Sequence, residues 1–126
     1  MSLTILEKAS LCYNSAVAKK ALDVVMLDVR GKCEFADVFL FASGSSNRQV
    51  QTIVSSVEGA LRAAGEKSYH IEGYDNAWWA LIDAGDIVVH VFIEEARRYY
   101  DLERHWADAT RLEPDGAALT SPAVSG

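Results

Sequence analysis

The chain has 126 residues, 50% of them hydrophobic, and a formal net charge of −6. This length predicts one domain with a core of its own, and the sequence contains no run of about 20 apolar residues that could cross a membrane. The excess of acidic side chains excludes a general phosphate-binding surface, because affinity for nucleic acid depends on clustered lysine and arginine. We therefore expect neither a membrane partner nor direct sequence-specific binding of nucleic acid.

The N-terminus and the cysteines indicate a cytoplasmic protein. Glu7 and Lys8 lie where a signal peptide would have its apolar region, so we expect no export. Cys12 and Cys33 are too few for a disulfide framework and are expected to remain reduced thiols.

In chain order, the first predicted element is a helix. Thr4 and Glu7 have the spacing of a capping box, which marks a helix N-terminus. Apolar residues then recur at helical intervals at Leu6, Ala9, Tyr13 and Val17. Two strands follow at residues 22–29 and 36–43, and the near-continuous hydrophobicity of the second predicts a central place in the sheet or cover on both faces.

The clearest predicted element is a helix between Gly44 and Gly65. Ser45 or Ser46 is expected to cap its N-terminus, and Gly65 is expected to end it. One side of this helix carries the apolar residues Val50, Ile53, Val54, Val57, Leu61 and Ala64. We predict that this side packs against the sheet.

Three more strands are predicted at residues 67–74, 78–83 and 86–93, of which the first has the weakest pattern. Only Ala84 and Gly85 separate the last two strands, and so short a connection predicts an antiparallel hairpin.

A final helix is predicted from Glu94 onward. Its apolar side is formed by Ala96, Tyr99, Leu102 and Trp106. Residues 113–126 hold both prolines and show no periodicity, so we expect a mobile tail. The order of elements predicts an α/β fold in which helices pack on a mixed five-stranded sheet, within a single domain over residues 1–112.

The turn "SGSSN", Ser43–Asn47, is the first candidate for chemistry. A glycine and hydroxyls between a strand and a helix N-terminus can bind an anion, but the same residues are also what a turn and an N-cap require. Nucleotidyltransferase chemistry would need two closely spaced carboxylates on a following strand to hold Mg²⁺. The first acidic residue downstream is Glu58, inside the helix, and the sequence contains no Asp-x-Asp. We therefore predict no metal-dependent phosphoryl transfer.

The stretch "EGYDNAWWALIDAGDIVVHVF" carries the remaining candidates. Asp83, Asp86 and His90 can be written as a metal cluster, but turn aspartates and a structural histidine explain the same residues without a ligand. Neighbouring residues on a strand point to opposite faces, so the two tryptophans are predicted to diverge. Trp79 then shares a face with Leu81 and Asp83. From this pattern alone Trp79 is either an exposed interface anchor or a core residue.

Three motifs together resemble the ribosomal silencing factor (Iojap-like) family. They are "ADVFLFASGSSNRQVQTI", "EGYDNAWWALIDAGDIVVHVF" and "RRYYDLERHWADA", in the family's order and spacing. The resemblance covers roughly residues 22–109. It implies an α/β fold related to nucleotidyltransferases that lacks their catalytic carboxylates, and a protein that is not an enzyme.

The resemblance also implies a function and a partner. Family members bind the large ribosomal subunit through ribosomal protein L-fourteen, block joining of the small subunit and lower translation when nutrients are short. Relatives in organelles are linked to ribosome assembly, and family members also occur as dimers, so a homodimer is a further expectation. An acidic chain suits a basic ribosomal protein, because opposite charges speed and orient association.

Carried over residue by residue, the family's tryptophan falls on Trp79, its strand histidine on His90, and its last tryptophan on Trp106. The chain departs from the family at Trp78 and His105. The residues that we predict to bind the large-subunit protein are Trp79, Leu81, Asp83, His90, Tyr100, Asp101 and Glu103. We predict no catalytic, cofactor-binding or metal-binding residue. The alternative is a residual nucleotide-binding or nucleotidyltransferase activity at Ser43–Asn47.

Overall fold

The computed structural model describes residues 3–113, which form four helices and one sheet of six strands. The helices are α1 (Ile5–Ala18), α2 (Asn47–Ala63), α3 (Glu94–Tyr100) and α4 (Leu102–His105). The strands are β1 (Leu22–Asp28), β2 (Val38–Gly44), β3 (His70–Glu72), β4 (Trp79–Asp83), β5 (Ile87–Ile93) and β6 (Thr110–Leu112). None of the helices within residues 3–113 has the length and apolarity needed to cross a membrane.

The strands lie in the order β3-β4-β5-β2-β1-β6. β2 and β5 pair in parallel at the centre, and the other neighbours are antiparallel. The predicted mixed α/β sheet and the β4–β5 hairpin are confirmed. The prediction of five strands is wrong, because β6 pairs with β1 at the sheet edge. Its three residues, Thr110–Leu112, are too few to show an alternating pattern. The predicted tail lies outside the described residues apart from Glu113.

The first helix begins as predicted, with both hydrogen bonds of the capping box between Thr4 and Glu7. Its predicted apolar side is partly wrong, because Val17 is 46% exposed while Cys12 and Ala16 are buried. Small side chains let the helix approach its neighbours closely, so Cys12 and Ala16 occupy the buried side in place of larger residues. Burial raises the pKa of the Cys12 thiol to about 12, so the thiol stays protonated.

Lys8 lies on this buried side, which an apolar pattern would not predict. Its Nζ donates to Asp86 Oδ1 at 2.8 Å and to the carbonyl of Ala84 at 3.1 Å, and it lies 3.2 Å from Glu66 Oε1. Burial lowers the pKa of Lys8, but the hydrogen bonds to Asp86 and Glu66 outweigh it and hold the pKa above its ordinary value. The lysine thereby ties α1 to the β4–β5 turn and to the end of α2.

The second helix follows the sequence closely. The Oγ of Ser46 accepts from the backbone N–H of Gln49 at 3.1 Å, so Ser46 rather than Ser45 is the N-cap. Gly65 follows the helix with φ of +91°, as a glycine at this position should. Except for Ala64, which is half-buried, the predicted apolar residues are all buried: Val50, Ile53, Val54, Val57 and Leu61.

Side chains alternate along each strand and give the sheet two different faces. α1 and α2 pack on one, the helix-covered face, where Ala80 and Ile82 of β4 are fully buried. The other, the aromatic face, carries a second cluster that α3 and α4 cover only in part. Its rings from the strands are Phe39, Phe41, Trp79, His90 and Phe92.

The predicted last helix is interrupted at Asp101, which has the left-handed conformation (φ 49°, ψ 45°) between α3 and α4. Tyr99, in the last turn of α3 before the break, is 79% exposed rather than buried as helical spacing predicts. Arg97 holds the two pieces together. It donates to both carboxylate oxygens of Glu103, at 2.8 and 3.1 Å, and to Ser43 Oγ at 2.9 Å. This fork fixes α4 over the aromatic face.

Candidate docking surface

Strand register brings the predicted site residues of the hairpin together. Trp79, Leu81 and Asp83 of β4 pair with Phe92, His90 and Val88 of β5, respectively. Paired residues project to the same side of a sheet, so these six side chains stand on the aromatic face.

Trp79 lies at the margin of this face and is half-buried. Its indole N–H donates to Nδ1 of His90 at 3.2 Å. The centroid of its ring lies 4.8 Å from that of Tyr100 and 5.3 Å from that of Phe92. Trp79 and Tyr100 thus lie in contact at this margin, and the burial of Trp79 falls between the exposed anchor and the core residue that the sequence left as alternatives.

His90 lies beneath Trp79 with only 7% of its surface exposed. It stacks on Phe41, at 5.1 Å between ring centroids. Burial lowers the pKa of His90 to about 4, so the ring is neutral at pH 7. Because an indole N–H can only donate, Nδ1 of His90 is the acceptor and its proton sits on Nε2.

A cavity of about 370 Å³ opens beside Trp79 and His90. We call it the Trp79 cavity. Its further apolar lining consists of Phe35, Phe39, Leu81, Val88, Leu102 and Trp106. Sequence reasoning missed Phe35, Leu102 and Trp106 as members of this surface. Phe35 lies in the β1–β2 connection, where no periodicity marks it, and Trp106 was predicted to be core although it is half-buried.

The acidic residues around this surface differ in whether they form an ion pair within the chain. Glu103 is engaged by Arg97, and Asp101 lies 3.1 Å from Arg104. Asp83 accepts from the backbone N–H of Gly85 at 2.9 Å and, among residues 3–113, forms no ion pair. Asp83 is therefore the predicted acidic residue most available to a basic partner.

Trp78 departs from the expected alternation. It lies before β4 begins and packs against the same cluster as Trp79, not with Ala80 and Ile82 on the opposite face. Ala77, with φ of +56°, turns the chain immediately before it. The period of two applies only to strand backbone, and the strand starts one residue later than predicted.

The Ser43–Asn47 turn is occupied by contacts within the chain. Ser45 donates from both its backbone N–H and its hydroxyl to the side chain of Gln49, and the Ser46 hydroxyl is the helix cap. Asn47 donates to the carbonyls of residues 76 and 77, and Ser43 is held by Arg97. The side chains of the turn that an anion could use therefore already have partners, which favours the turn-and-cap reading.

The three residues considered as a metal cluster are not brought together. Asp86 binds Lys8 on the helix-covered side, Asp83 closes its own turn, and His90 is bonded to Trp79. Within residues 3–113, no group of three or more histidine, cysteine or acidic side chains is arranged to hold a metal ion.

A family model described as "Ribosomal silencing factor during starvation" matches residues 2–125. The chain belongs to this family. A ribosomal silencing factor from Halalkalibacterium halodurans is 42% identical over 110 residues, which are 87% of this chain and 94% of the relative.

Two further comparisons relate this chain to a solved bacterial structure and to a mitochondrial protein. A crystal structure of a Chromobacterium violaceum protein, 36% identical, superposes with a TM-score of 0.81 and covers 82% of this chain and 87% of that one. A mouse protein named "Mitochondrial assembly of ribosomal large subunit protein 1" is 29% identical over 91 residues, 70% of this chain and 40% of its own length. The family and fold expected from the three sequence motifs are confirmed. Membership places the protein among ribosome-associated silencing factors, whose names describe regulators rather than enzymes.

Proposed function

We propose that this protein binds the large ribosomal subunit through ribosomal protein L-fourteen, in the cytoplasm, and blocks joining of the small subunit when nutrients are short. Membership of the silencing factor family supports the class of function, and the family description names starvation as its setting. The name of the mouse relative connects the family to the large subunit. The action is steric, so it needs a docking surface and no catalytic group.

The observation that carries this proposal is the open part of the aromatic face. Trp79, Leu81 and Tyr100 offer apolar area beside Asp83, which lacks an ion pair within residues 3–113. Aromatic anchors with a polar rim are what protein interfaces use. The carboxylate suits a basic ribosomal protein, whose lysines and arginines would be repelled by a basic rim.

Among the predicted contact residues, Asp101 and Glu103 occupy the border of this surface. Both are paired with arginines of the same chain, at 3.1 Å from Arg104 and 2.8 Å from Arg97. A partner would meet them as neutralised pairs, so we assign them to the rim and Trp79 to the centre. Interface centres carry most of the binding free energy, and rims carry little.

Subunit joining tests the proposal directly. Separated bacterial subunits are mixed with an excess of the protein, and the small subunit is added last before sedimentation through a sucrose gradient. The protein should migrate with the large subunit and reduce the amount of joined ribosomes. Joining at the normal level despite bound protein, or migration with the small subunit, would contradict the proposal.

Two variants locate the effect on the surface. Trp79→Ala should lose the block, because the anchor of the docking surface is removed. Arg62→Ala, an exposed position on α2 across the sheet, should block joining as the parent does. Equal loss with both variants would show that the docking surface is not on the aromatic face.

A further inference from the structure

The Trp79 cavity contains one polar group that the free protein leaves unused. Nε2 of His90 carries the proton of the neutral ring, is buried, and has no hydrogen-bond partner among residues 3–113. A buried donor without a partner is rare, because nothing compensates its loss of water. Its neighbours Phe39 and Phe41, 5.2 and 5.1 Å away between centroids, offer only aromatic rings, which are weak acceptors.

The surroundings of this donor restrict what can satisfy it. The cavity wall is apolar, so an entering group must be mostly apolar as well. At its mouth stand two exposed carboxylates, Asp83 and Glu72. Glu72 pairs in register with Leu81, and Leu81 pairs with His90. The carboxylate of Glu72, the apolar side chain of Leu81 and the donor of His90 therefore lie in one row across the sheet. Of the two acids, Glu72 lies 2.8 Å from Nε2 of His70, its one ion-pair partner within residues 3–113.

We propose that the docking partner inserts an apolar side chain into the Trp79 cavity, places a carbonyl oxygen on Nε2–H of His90, and sets a lysine or arginine against Asp83 and Glu72. This inference rests on the proposed function and adds the chemistry of the segment that is recognised. It commits to a basic protein loop as the occupant, because the only ionic groups that line the cavity among the described residues are acidic.

Phe35 is the most exposed apolar side chain of the cavity wall. Nε2 is covered in the free protein, so an acceptor reaches it only if a wall side chain moves. Phe35 lines the cavity, touches Phe39 at 6.0 Å between centroids, and is 69% exposed. A ring so exposed is held by few contacts and can swing aside at little cost.

Histidine-selective ¹⁵N NMR tests this proposal on the intact protein, which has 3 histidines. The probe is purified ribosomal protein L-fourteen. In the free protein, Nδ1 of His90 should be unprotonated and Nε2 protonated. On binding, the Nε2–H signal should move downfield and exchange with water at least about tenfold more slowly, while exposed His105 serves as the internal reference.

The affinity of two variants for L-fourteen measures how much His90 contributes to binding. His90→Phe keeps a flat ring in the stack but removes both the Nε2 donor and the Nδ1 acceptor of the Trp79 indole N–H, so binding should weaken at least about tenfold. His105→Phe makes the same change outside the cavity and should bind as the parent does. Thermal melting of both variants checks that they fold.

The outcomes separate this inference from the proposed function. If the parent protein does not bind L-fourteen, the proposed partner is wrong and the inference falls with it. If the parent binds while the Nε2–H signal stays unchanged, or if Nδ1 carries the proton in the free protein, the inference alone is overturned. A shifted, slowly exchanging Nε2–H supports it even when His90→Phe fails to fold.

Discussion

At the scale of single residues, β4 carries the proposed docking anchor Trp79 and the core residue Ile82 three positions apart. Ile82 is fully buried on the helix-covered face, whereas Trp79 is half-buried at the margin of the aromatic face. Ile82 therefore contributes to the stability of the fold, whereas Trp79 is available for contact with a partner. Loss of a core side chain leaves a cavity, while loss of an interface anchor leaves the free protein mostly intact.

Trp79→Ala and Ile82→Ala should consequently behave in opposite ways. Ile82→Ala should lower the free energy of unfolding by about 2–5 kcal/mol. Trp79→Ala should melt closer to the parent but lose at least about 2 kcal/mol of large-subunit binding, roughly thirtyfold in affinity. Thermal melting and binding to purified large subunits are measured for both. If Trp79→Ala melts as early as Ile82→Ala, Trp79 belongs to the core.

His90 gives stability a dependence on pH. Its pKa is about 4 in the folded protein, against an ordinary value of 6.5, because burial disfavours the charged ring. The unfolded chain therefore binds more protons between these values, so the stabilising effect is complete above pH 6.5 and is lost as pH falls toward 4. Between pH 7.5 and 4.5 this one group should remove about 2–3 kcal/mol of stability.

Urea unfolding at a series of pH values measures that loss. Carboxylates also titrate in this range, so the informative quantity is the difference between the parent and His90→Phe. The free energy of unfolding of the parent minus that of the variant should fall as the pH falls, since the variant lacks the titrating ring. A constant difference from pH 7.5 to 4.5 would mean that His90 is not buried as a neutral ring.

At the scale of elements, the turn between β3 and β4 sets the position of Trp79. Gly73 has φ of +76°, and a Cβ added there would lie 2.3 Å from the backbone carbonyl oxygen of Trp79. No side chain fits in that space, so the close approach of the two backbones depends on glycine. Gly59, inside α2, has nothing within 4 Å of the same added atom.

These two glycines form a matched pair for mutation to alanine. Gly73→Ala should destabilise the fold by about 2–4 kcal/mol, through backbone strain and the clash with Trp79, and should weaken large-subunit binding as well. Gly59→Ala should stabilise it by about 0.5–1 kcal/mol, because glycine is a poor helix former. Calorimetric melting decides both, and a stable Gly73→Ala protein would show that the β3–β4 turn adapts freely.

The elements with a long, regular pattern could be predicted from sequence, and those shaped by tertiary contacts could not. The apolar side of α2 and the β4–β5 hairpin follow from periodicity and a two-residue turn. The break at Asp101 has no local signal, since the chain there continues at helical spacing. It is held by the fork of Arg97 on Glu103, a contact that only the folded chain creates.

The same limit applies to the candidate site. Strand alternation predicts that Trp79, Leu81 and Asp83 share a face, but the register between β4 and β5 is what brings His90 beside Leu81. Phe35 joins them from a connection without periodicity, and the unused donor of His90 depends on a hydrogen bond from Trp79. Both require the three-dimensional arrangement of several elements.

At the scale of the whole molecule, the net charge is expected to influence association with the proposed partner. The chain carries a net charge of −6, and Asp83 brings part of it to the docking surface. The association rate with purified ribosomal protein L-fourteen should fall about tenfold or more when KCl is raised from about 50 to about 500 mM. Stopped-flow measurements over this range test the expectation, and a rate independent of salt would contradict it.

Asp83→Asn and Asp75→Asn distinguish local from overall charge. Each removes one negative charge, but Asp75 lies in the loop beside α2, where its carbonyl meets Gln51. Asp83→Asn should flatten the salt dependence more than Asp75→Asn does. Equal effects would mean that only the net charge of the molecule matters.

The parallel pairing of β2 with β5 has a consequence for the order in which the chain acquires its shape during synthesis. Val38 lies beside Ile87, so the centre of the sheet closes only after the long α2, β3 and β4 segment has been made. Contacts between distant parts of a chain form late, because the entropy of a large loop is lost before they can stabilise it. Trp79 and His90 lie in that late part, and α4, which walls the cavity, follows them. A nascent or truncated chain that ends before α4 thus lacks part of the proposed docking surface, and we expect a silencing factor still attached to its own translating ribosome to be inert until it is nearly complete.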